Sequence, residues 1–353
     1  MDNLVFQPFS KFNHNDPFFD SLKANYVEFP HWLEKKAKEG ESAYVLYGDD
    51  ESIEGFMYLK ENDDGGGIEP ELPATNHLKI GTFKFESKKT LRGQRFLKKA
   101  FDRAISSGAE DIYVTVFEEH AHLIRLFQTY GFYKHGEKNT PNGKEIVYVR
   151  SFKDINGDVL LDYPLVIEKN VKKYLLAIYP EFHTRLFPDS KLITDSPDIV
   201  QDVSHTNSIH KIYISGMRSV MRMKRGDIII IYRTGDGKGK AFFRAVASSI
   251  CVVESVKTIN DFNDEGSFVS YCGKFSIFSE GELREIYRSK KSPYVIRFTY
   301  NLALPKRPTR GSLIEDAGLN GTDGYRWNHF ELKDAQFNKI LELGRVDESF
   351  IIN

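Results

Sequence analysis

The residues of this chain that could do chemistry are concentrated between residues 80 and 132. A basic, glycine-containing segment, Lys88–Gly93, comes directly before a helix pattern whose first apolar pair is Phe96-Leu97. The first N–H groups of a helix have no partner within the helix and attract anions. Glycine lets a ligand approach the backbone closely, and neighbouring lysines and arginines add positive charge. The segment therefore predicts a binding loop for an anionic group such as a pyrophosphate.

The elements around this loop alternate between strand and helix. His77–Phe85 and Asp111–Phe117 have strand patterns, and a helix is predicted between them at Arg95–Ser107. A second helix is predicted over residues 119–130 and ends at Gly131. This order places a helix N-terminus beside the end of a strand.

The order and spacing of these elements resemble those of the GNAT acetyltransferases, over residues 15–150. In that family a Gln/Arg-x-x-Gly-x-Gly/Ala loop precedes the helix, and Lys88, Leu91 and Gly93 hold its three defined positions here. The family's later Asn, small residue, Leu-Tyr and Gly-Phe correspond to His120, Leu123, Leu126-Phe127 and Gly131-Phe132.

The resemblance implies a splayed mixed sheet with helices, and acetyl-coenzyme A (acetyl-CoA) as the cosubstrate. The cofactor-binding residues that it implies are Phe83, Lys84, Phe85, Lys88, Leu91, Arg92, Gly93, Gln94, His120 and Phe127.

One departure from the family pattern bears on catalysis. Phe127 stands where the family usually has a tyrosine that protonates the departing thiolate, and a phenyl ring cannot donate a proton. Tyr130 follows one helical turn later and is a candidate replacement, with packing at the helix end as the alternative. A backbone N–H within Phe83–Phe85 could polarise the thioester carbonyl. Glu86, Glu28 and an ordered water remain open as the proton acceptor.

The second half of the chain is β-rich and basic. Residues 205–244 carry nine Lys or Arg against two acids, whereas residues 41–71 carry ten acids against one base. The asymmetry favours a polyanionic partner for the second half, with a solvated basic face as the alternative. Strands are predicted at Lys211–Ser215, Asp227–Arg233, Lys240–Val256, Ser267–Ile277 and Tyr294–Asn301, and helices at Ser279–Ser289 and Asp334–Leu343.

The turn Lys224–Asp227 and the strand Ile228–Arg233 in this half resemble the PUA-like superfamily, which includes the ASCH and EVE groups. The resemblance covers residues 170–345 and implies a partly open β-barrel that binds RNA or a modified nucleotide. The candidate nucleic-acid-binding residues are Arg218, Arg222, Lys224, Arg225, Tyr232 and Arg233, with barrel packing as the alternative for the tyrosine.

Length and composition indicate a globular protein of mixed α/β class. A chain of 353 residues, 41% hydrophobic and 28% charged, usually forms two domains. We predict them at residues 1–152 and 173–353, with a connection at 153–172. No apolar segment approaches the roughly 20 residues that span a bilayer, and no signal-peptide pattern is evident, so a cytoplasmic protein without a membrane partner is expected. The two cysteines lack metal-ligand spacing, and no metal is expected.

Three functions remain open from the sequence. The first is an acetyl-CoA-dependent N-acetyltransferase whose second half directs it to an RNA-linked amine, such as an aminoacyl-tRNA. GNAT-type toxins block translation in this way, so an antitoxin or regulatory protein is then a candidate partner. The second is a catalytically silent protein that binds RNA or a modified nucleotide, which the altered Lys88, Leu91 and Phe127 favour. The third is an acetyltransferase for protein lysines or small amines.

Overall fold

The computed structural model describes residues 3–48, 50–86, 91–188 and 208–353. The chain divides into two compact units, residues 1–156 and 157–353, called unit 1 and unit 2 below. Each unit has a sheet with parallel and antiparallel strands and its own helices, so the predicted mixed α/β class is confirmed. Within the described residues, no helix combines the length and hydrophobicity needed to cross a bilayer.

Unit 1 is built on an eight-stranded sheet. Its strands are β1 (Asn3–Pro8), β2 (Ser42–Tyr47), β3 (Ile53–Asp63), β4 (Ile68–Glu69), β5 (His77–Phe85), β6 (Asp111–Val116), β7 (Tyr133–Thr140) and β8 (Gly143–Ser151). Its helices are α1 (Asp20–Asn25), α2 (Phe29–Lys38), α3 (Arg92–Ser107) and α4 (Ala121–Thr129). The strand order is β1-β2-β3-β5-β6-β8-β7-β4, and only the neighbours β5 and β6 run parallel.

The parallel pair β5 and β6 separates halfway along its length. The two strands pair from His77 opposite Asp111 to Ile80 opposite Val114, and no further. Beyond that point β5 continues to pair with β3, and β6 continues to pair with β8. The two strands therefore diverge and leave a wedge-shaped opening in the sheet.

A β-bulge at Gly81 marks the start of this wedge. Tyr58 of β3 lies opposite Thr82, but the next residue, Leu59, lies opposite Ile80, so Gly81 is the extra residue. A bulge bends its strand and re-aims the residues that follow it. The bend takes the end of β5 away from β6.

The predicted elements around the wedge are confirmed, with small differences at their ends. β5 has the predicted bounds, and the hairpin at Asn142-Gly143 joins β7 to β8. Helix α3 begins at Arg92 instead of Arg95, because Arg92 and Gln94 also favour helix. Strands β1 and β4 were not predicted from the sequence. Strand β4 forms where Ile68 is buried against Tyr113 and Leu72.

Unit 2 contains a six-stranded sheet and a two-residue strand pair. Its strands are β9 (Val166–Ile167), β10 (Lys173–Ile178), β11 (His210–Ser215), β12 (Ile228–Arg233), β13 (Val246–Thr258), β14 (Tyr294–Ala303), β15 (His329–Leu332) and β16 (Ile351–Ile352). Its helices are α5 (Pro180–Leu186), α6 (Ala241–Arg244), α7 (Glu265–Cys272), α8 (Glu280–Ser289), α9 (Arg310–Glu315) and α10 (Asp334–Gly344).

The large sheet of unit 2 is open. Its order is β11-β14-β13-β12-β10-β15, with β10 and β12 parallel and the other neighbours antiparallel. The edge strands β11 and β15 do not pair with each other in the part of the chain that the structure describes. The isoleucines of β12, residues 228–231, are fully buried, as expected of a central strand.

Two strand predictions in unit 2 need correction. The segment Ser267–Ile277 is largely helical, because Asp264 and Ser267 form a capping box that starts α7. The Asp264 carboxylate accepts the Ser267 N–H at 2.7 Å, and this local bonding outweighs the β-propensity of the aromatic residues that follow. Strand β13 begins at Val246 instead of Lys240, since α6 occupies part of the predicted segment. The helices predicted at Ser279–Ser289 and Asp334–Leu343 are confirmed as α8 and α10.

Candidate active site

A cavity of about 480 Å³ occupies the wedge in unit 1. It is lined by Lys79–Phe85 of β5, by residues 114–117 at the end of β6, and by parts of α1, α2, α4 and the β7–β8 hairpin. Because β6 has diverged, the backbone groups of β5 that do not bond to β3 face this cavity. The wedge thus offers an unpaired strand edge at which an extended ligand can bind.

Aromatic side chains form the wall of the cavity next to α4. Phe83 contacts Phe127 with ring centroids 5.4 Å apart, and Phe85 meets His122 edge-on at 6.4 Å. Burial lowers the pKa of His122, which favours the neutral imidazole. His120, which precedes the first residue of α4, also lines the cavity. Four of the predicted cofactor-binding residues therefore lie on this wall.

A phenol and a buried carboxylate also meet in the cavity lining. The Tyr26 hydroxyl donates a hydrogen bond to Glu145 Oε1 at 3.3 Å, and the Tyr26 ring stacks on Phe117 at 5.8 Å. Glu145 is 7% exposed. Burial and the Glu145 charge raise the pKa of Tyr26 above its ordinary value, so the phenol keeps its proton at neutral pH. This pair can take up a proton at the carboxylate and hold one at the phenol.

The two carboxylates predicted as proton acceptors occupy different places. Glu28 lies at the mouth of the cavity, is exposed, and accepts a hydrogen bond from Asn142 Nδ2 at 2.7 Å. Glu86 is exposed, its N–H bonds to the Glu54 carbonyl, and it does not line the cavity. The structure brings Glu28 towards the cavity and leaves Glu86 outside it.

Tyr130 does not reach the cavity. It follows the last residue of α4, so the helical i, i+3 relation to Phe127 does not hold at that position. Its side chain is fully buried and contributes nothing to the cavity lining. The phenol that the structure supplies to the cavity is Tyr26.

The start of α3 carries the predicted anion-binding loop, of which Lys88 lies outside the described residues. Leu91 is the N-cap and gives no side-chain hydrogen bond to the first turn. Arg92 is buried, contacts the Glu54 carboxylate, and donates to the Glu86 carbonyl at 3.3 Å. Gln94 is half-buried. The Arg92 side chain thus joins α3 to β3 and does not extend towards a ligand.

The absence of a side chain at Gly93 is required by the packing around it. A Cβ atom there would lie 2.7 Å from Leu126 Cδ2 and 2.8 Å from Phe85 Cζ. Phe85 and Leu126 therefore cover the Cα of Gly93, while residues 87–90 lie outside the described residues.

We expect Gly93→Ala to lower the free energy of unfolding of unit 1 by about 1–3 kcal/mol, the usual cost of overpacking. Urea titration followed by Trp32 fluorescence in a Trp327→Phe background measures it, because each unit contains one of the two tryptophans. The matched control is Gly281→Ala in unit 2, followed by Trp327 fluorescence in a Trp32→Phe background, since a Cβ there meets nothing within 4 Å. A change in unfolding free energy no larger for Gly93→Ala than for Gly281→Ala would contradict this packing role.

The candidate nucleic-acid residues of unit 2 fall into two groups. Arg218, Arg222, Lys224 and Arg225 are exposed and form what we call the basic turn. Arg225 pairs with Asp158 at 2.8 Å. In contrast, Tyr232 and Arg233 are buried in the central strand β12. Neither side chain is therefore accessible to the phosphate backbone of a nucleic acid bound at the protein surface.

A second cavity, of about 870 Å³, lies in unit 2 and includes Tyr232 in its wall. The Tyr232 and Trp327 rings are 5.0 Å apart, and the Arg310 guanidinium lies 4.8 Å from the Trp327 ring centre. Tyr213, whose pKa is raised to about 12 by burial, and Met217 also line it. Met217 directly precedes the basic turn, so aromatic and cationic groups adjoin one another here. In the described part of the chain, no group of three or more His, Cys, Asp or Glu could hold a metal ion.

Tyr26, Glu145 and Lys79 are cavity residues that the sequence analysis did not single out. Tyr26 and Glu145 are 119 positions apart and meet only through the fold. A weak signal was present for Glu145, because an acidic residue at a largely buried strand position is unusual.

No family model matches the sequence, and no curated protein matches it. Many solved structures align with the N-terminal part of the chain, and the following three are examples. An N-acetyltransferase from Staphylococcus aureus Mu50 is 9% identical, over 44% of this chain and 99% of that one, with a TM-score of 0.34. A GNAT family acetyltransferase from Elizabethkingia anophelis with acetyl-CoA bound is 15% identical, over 42% and 98%, with a TM-score of 0.30. An acetyltransferase of the GNAT family from Bacillus cereus ATCC 10987 is 17% identical, over 43% and 97%, with a TM-score of 0.29. These identities and TM-scores are too low to assign a function to this chain. The function is therefore inferred from the geometry of the wedge.

Proposed function

We propose that the chain is an N-acetyltransferase that uses acetyl-CoA as its acetyl donor. The observation that carries this proposal is the wedge between β5 and β6, which places an unpaired strand edge beside a buried carboxylate and a protonated phenol. A strand edge of this kind binds an extended chain that contains amide groups, as coenzyme A does. The bound thioester supplies the acetyl group.

The residues around the wedge fit such a donor. The N–H groups of Thr82–Phe85 that face away from β3 can bond to the amides and the thioester carbonyl. Phe83, Phe85 and Phe127 give an apolar wall for the pantetheine arm. The first turn of α3, which receives no hydrogen bond from the Leu91 side chain, offers N–H groups to the diphosphate. Because Arg92 is engaged with Glu54, positive charge for the diphosphate must come from other residues.

Proton transfer falls to Glu145 and Tyr26. Glu145 accepts a proton from the acceptor ammonium, directly or through a water molecule, and this frees the nitrogen lone pair to attack the thioester. Tyr26, whose pKa is raised, donates a proton towards the departing thiolate and replaces the hydroxyl that Phe127 lacks. A thiolate is a passable leaving group because its conjugate acid has a pKa near 8.5. A general acid therefore accelerates this step without being obligatory.

For the acceptor, we propose an amine carried by RNA, such as the amino group of an aminoacyl-tRNA. The basic turn of unit 2 supports this, since exposed arginines and lysines bind phosphates. Protein lysines and small amines are the competing acceptors.

Transfer of label from radioactive acetyl-CoA tests the function and the acceptor together. The purified chain is incubated with charged tRNA, uncharged tRNA, total protein or small amines. We expect label in charged tRNA and much less in the uncharged control. Label only in protein or small amines would reject the RNA-linked acceptor. No label in any fraction, with Tyr26→Phe and wild type alike, would support the catalytically silent alternative.

The aromatic cavity of unit 2 favours a second function, the binding of a nucleobase or modified nucleotide. The rings of Tyr232 and Trp327 and the nearby Arg310 can stack on a planar base. Stacking on one aromatic residue contributes about 1–3 kcal/mol, so Trp327→Ala should weaken binding about 5- to 150-fold. Fluorescence anisotropy of labelled oligonucleotides measures this, with Trp32→Phe as the control. Undiminished affinity in Trp327→Ala would exclude the cavity as the base site.

A further inference from the structure

Lys79 lines the wedge cavity and has no role in the function proposed above. It is on β5, opposite Tyr113 of β6, one residue before the last paired position. Its side chain is half-buried, and Nζ lies 5.6 Å from the centre of the Tyr113 ring. The nearby Asp63 is engaged elsewhere, with Lys60 at 2.7 Å and with the Tyr113 hydroxyl. Lys79 is thus an amine that faces the cavity.

The surroundings of Lys79 lower its pKa below the ordinary value, which increases the neutral, nucleophilic fraction at a given pH. Burial lowers its pKa, and the positive charge of Lys138 lowers it further. Lys138 donates to the Gly66 carbonyl at 2.5 Å and lines the same cavity. Asp63 and Glu145 oppose this effect without reversing it. An amine must lose its proton before it can attack an acyl carbon.

We propose that Lys79 is an acetyl acceptor within the chain, modified by acetyl-CoA bound in the wedge. This inference rests on the proposed function, because the wedge must hold the donor. Lys79 is two residues from the bulge at Gly81, about 7 Å along a strand, and both residues line the cavity. The amine and the strand edge that would hold the thioester therefore share one enclosed space.

The reaction needs no co-reactant other than acetyl-CoA. Neutral Nζ attacks the thioester carbonyl carbon, a C–N bond forms, and the C–S bond breaks. The electron pair of that bond leaves with sulfur, and a proton lost from Nζ neutralises the thiolate. The products are N-acetyllysine and coenzyme A. The modification removes one positive charge from the cavity lining, to which Lys79 and Lys138 both belong, and so alters the surface that an acceptor meets.

Peptide mass spectrometry of the full chain after incubation with acetyl-CoA tests the proposal. We expect one added acetyl group on Lys79, at a rate that saturates with acetyl-CoA and does not depend on protein concentration. Lys84 is the matched control: it lines the same cavity and its pKa is lowered by burial, but its Nζ bonds to Ser21 Oγ at 2.7 Å. Lys79→Arg should lose the acetylated species, and Lys134→Arg, at an exposed position outside the cavity, should keep it. Equal acetylation of Lys79, Lys84 and surface lysines would overturn the proposal.

Two further measurements separate this inference from the proposed function. Trace labelling with acetic anhydride, without coenzyme, should modify Lys79 faster than Lys84, because that readout reports only the reactivity of the amine. Calorimetric titration with acetyl-CoA reports whether the wedge holds the donor. Binding without any modification of Lys79 would overturn the inference and leave the function standing. Absence of binding would overturn both.

Discussion

We expect Glu145→Gln to lower kcat/KM for acetyl transfer by about 10²- to 10⁴-fold, the usual contribution of a general base. The amide has the shape of the carboxylate and can keep the 3.3 Å hydrogen bond from Tyr26, but it cannot accept a proton from the acceptor amine. The measurement is initial-rate kinetics with the acceptor identified by label transfer. Calorimetric binding of acetyl-CoA should be unchanged, since the loss concerns the chemical step.

Glu28→Gln and Glu86→Gln are the matched controls for this prediction. Glu28 is exposed at the cavity mouth and Glu86 lies outside the cavity, so neither variant should lose more than a small part of the rate. A large loss in Glu28→Gln together with full activity in Glu145→Gln would move the proton acceptor to Glu28. A loss in Glu86→Gln would show that the cavity is not where the proton is transferred.

The second large effect is on stability. We expect Glu54→Ala to lower the free energy of unfolding of unit 1 by about 3–5 kcal/mol, because it leaves the buried Arg92 guanidinium without its carboxylate. That is a large share of the 5–15 kcal/mol that typically stabilises a domain. Urea unfolding followed by Trp32 fluorescence, in the Trp327→Phe background, measures the change.

Two further variants show whether the loss of stability in Glu54→Ala comes from the buried ion pair. Glu110→Ala removes a pair with Lys153 in which both side chains are exposed, and exposed pairs contribute little. The double variant Glu54→Leu/Arg92→Met replaces both buried charges by apolar groups, which is often close to neutral. It should therefore be more stable than Glu54→Ala. If Glu54→Ala and Glu110→Ala were equally stable, the Arg92–Glu54 pair would not fix α3 to β3.

The strands and helices around the wedge could be predicted from local sequence. β5 and β6 have continuous β-branched and aromatic patterns, and α3 has an apolar stripe that ends at Gly108, which adopts a left-handed conformation. The wedge itself could not be predicted. The wedge depends on where β5 and β6 stop pairing and on the bulge at Gly81. The sequence of one strand does not determine which residues of another strand it pairs with.

The chemistry of the cavity was harder to predict for the same reason. Tyr26 and Glu145 are 119 positions apart in the sequence. Their side chains meet only when the sheet and α1 have assembled. A basic residue at the start of a helix is usually exposed, so the sequence predicts that Arg92 binds a ligand. In the structure the Arg92 side chain is buried instead, because it pairs with Glu54. Tyr130 has the right spacing from Phe127 for one helix face, but α4 ends before it.

Calorimetric titration of the chain with acetyl-CoA tests the central claim most directly. We expect one molecule bound per chain with a Kd between about 1 μM and 1 mM, the usual range for substrates. Thr82→Trp, which places a large side chain at the cavity wall, should abolish binding, whereas Trp327→Ala in unit 2 should leave it unchanged. Wild-type protein that takes up no acetyl-CoA at millimolar concentration, or Thr82→Trp that binds it as the wild type does, would contradict the assignment of the wedge as the donor site.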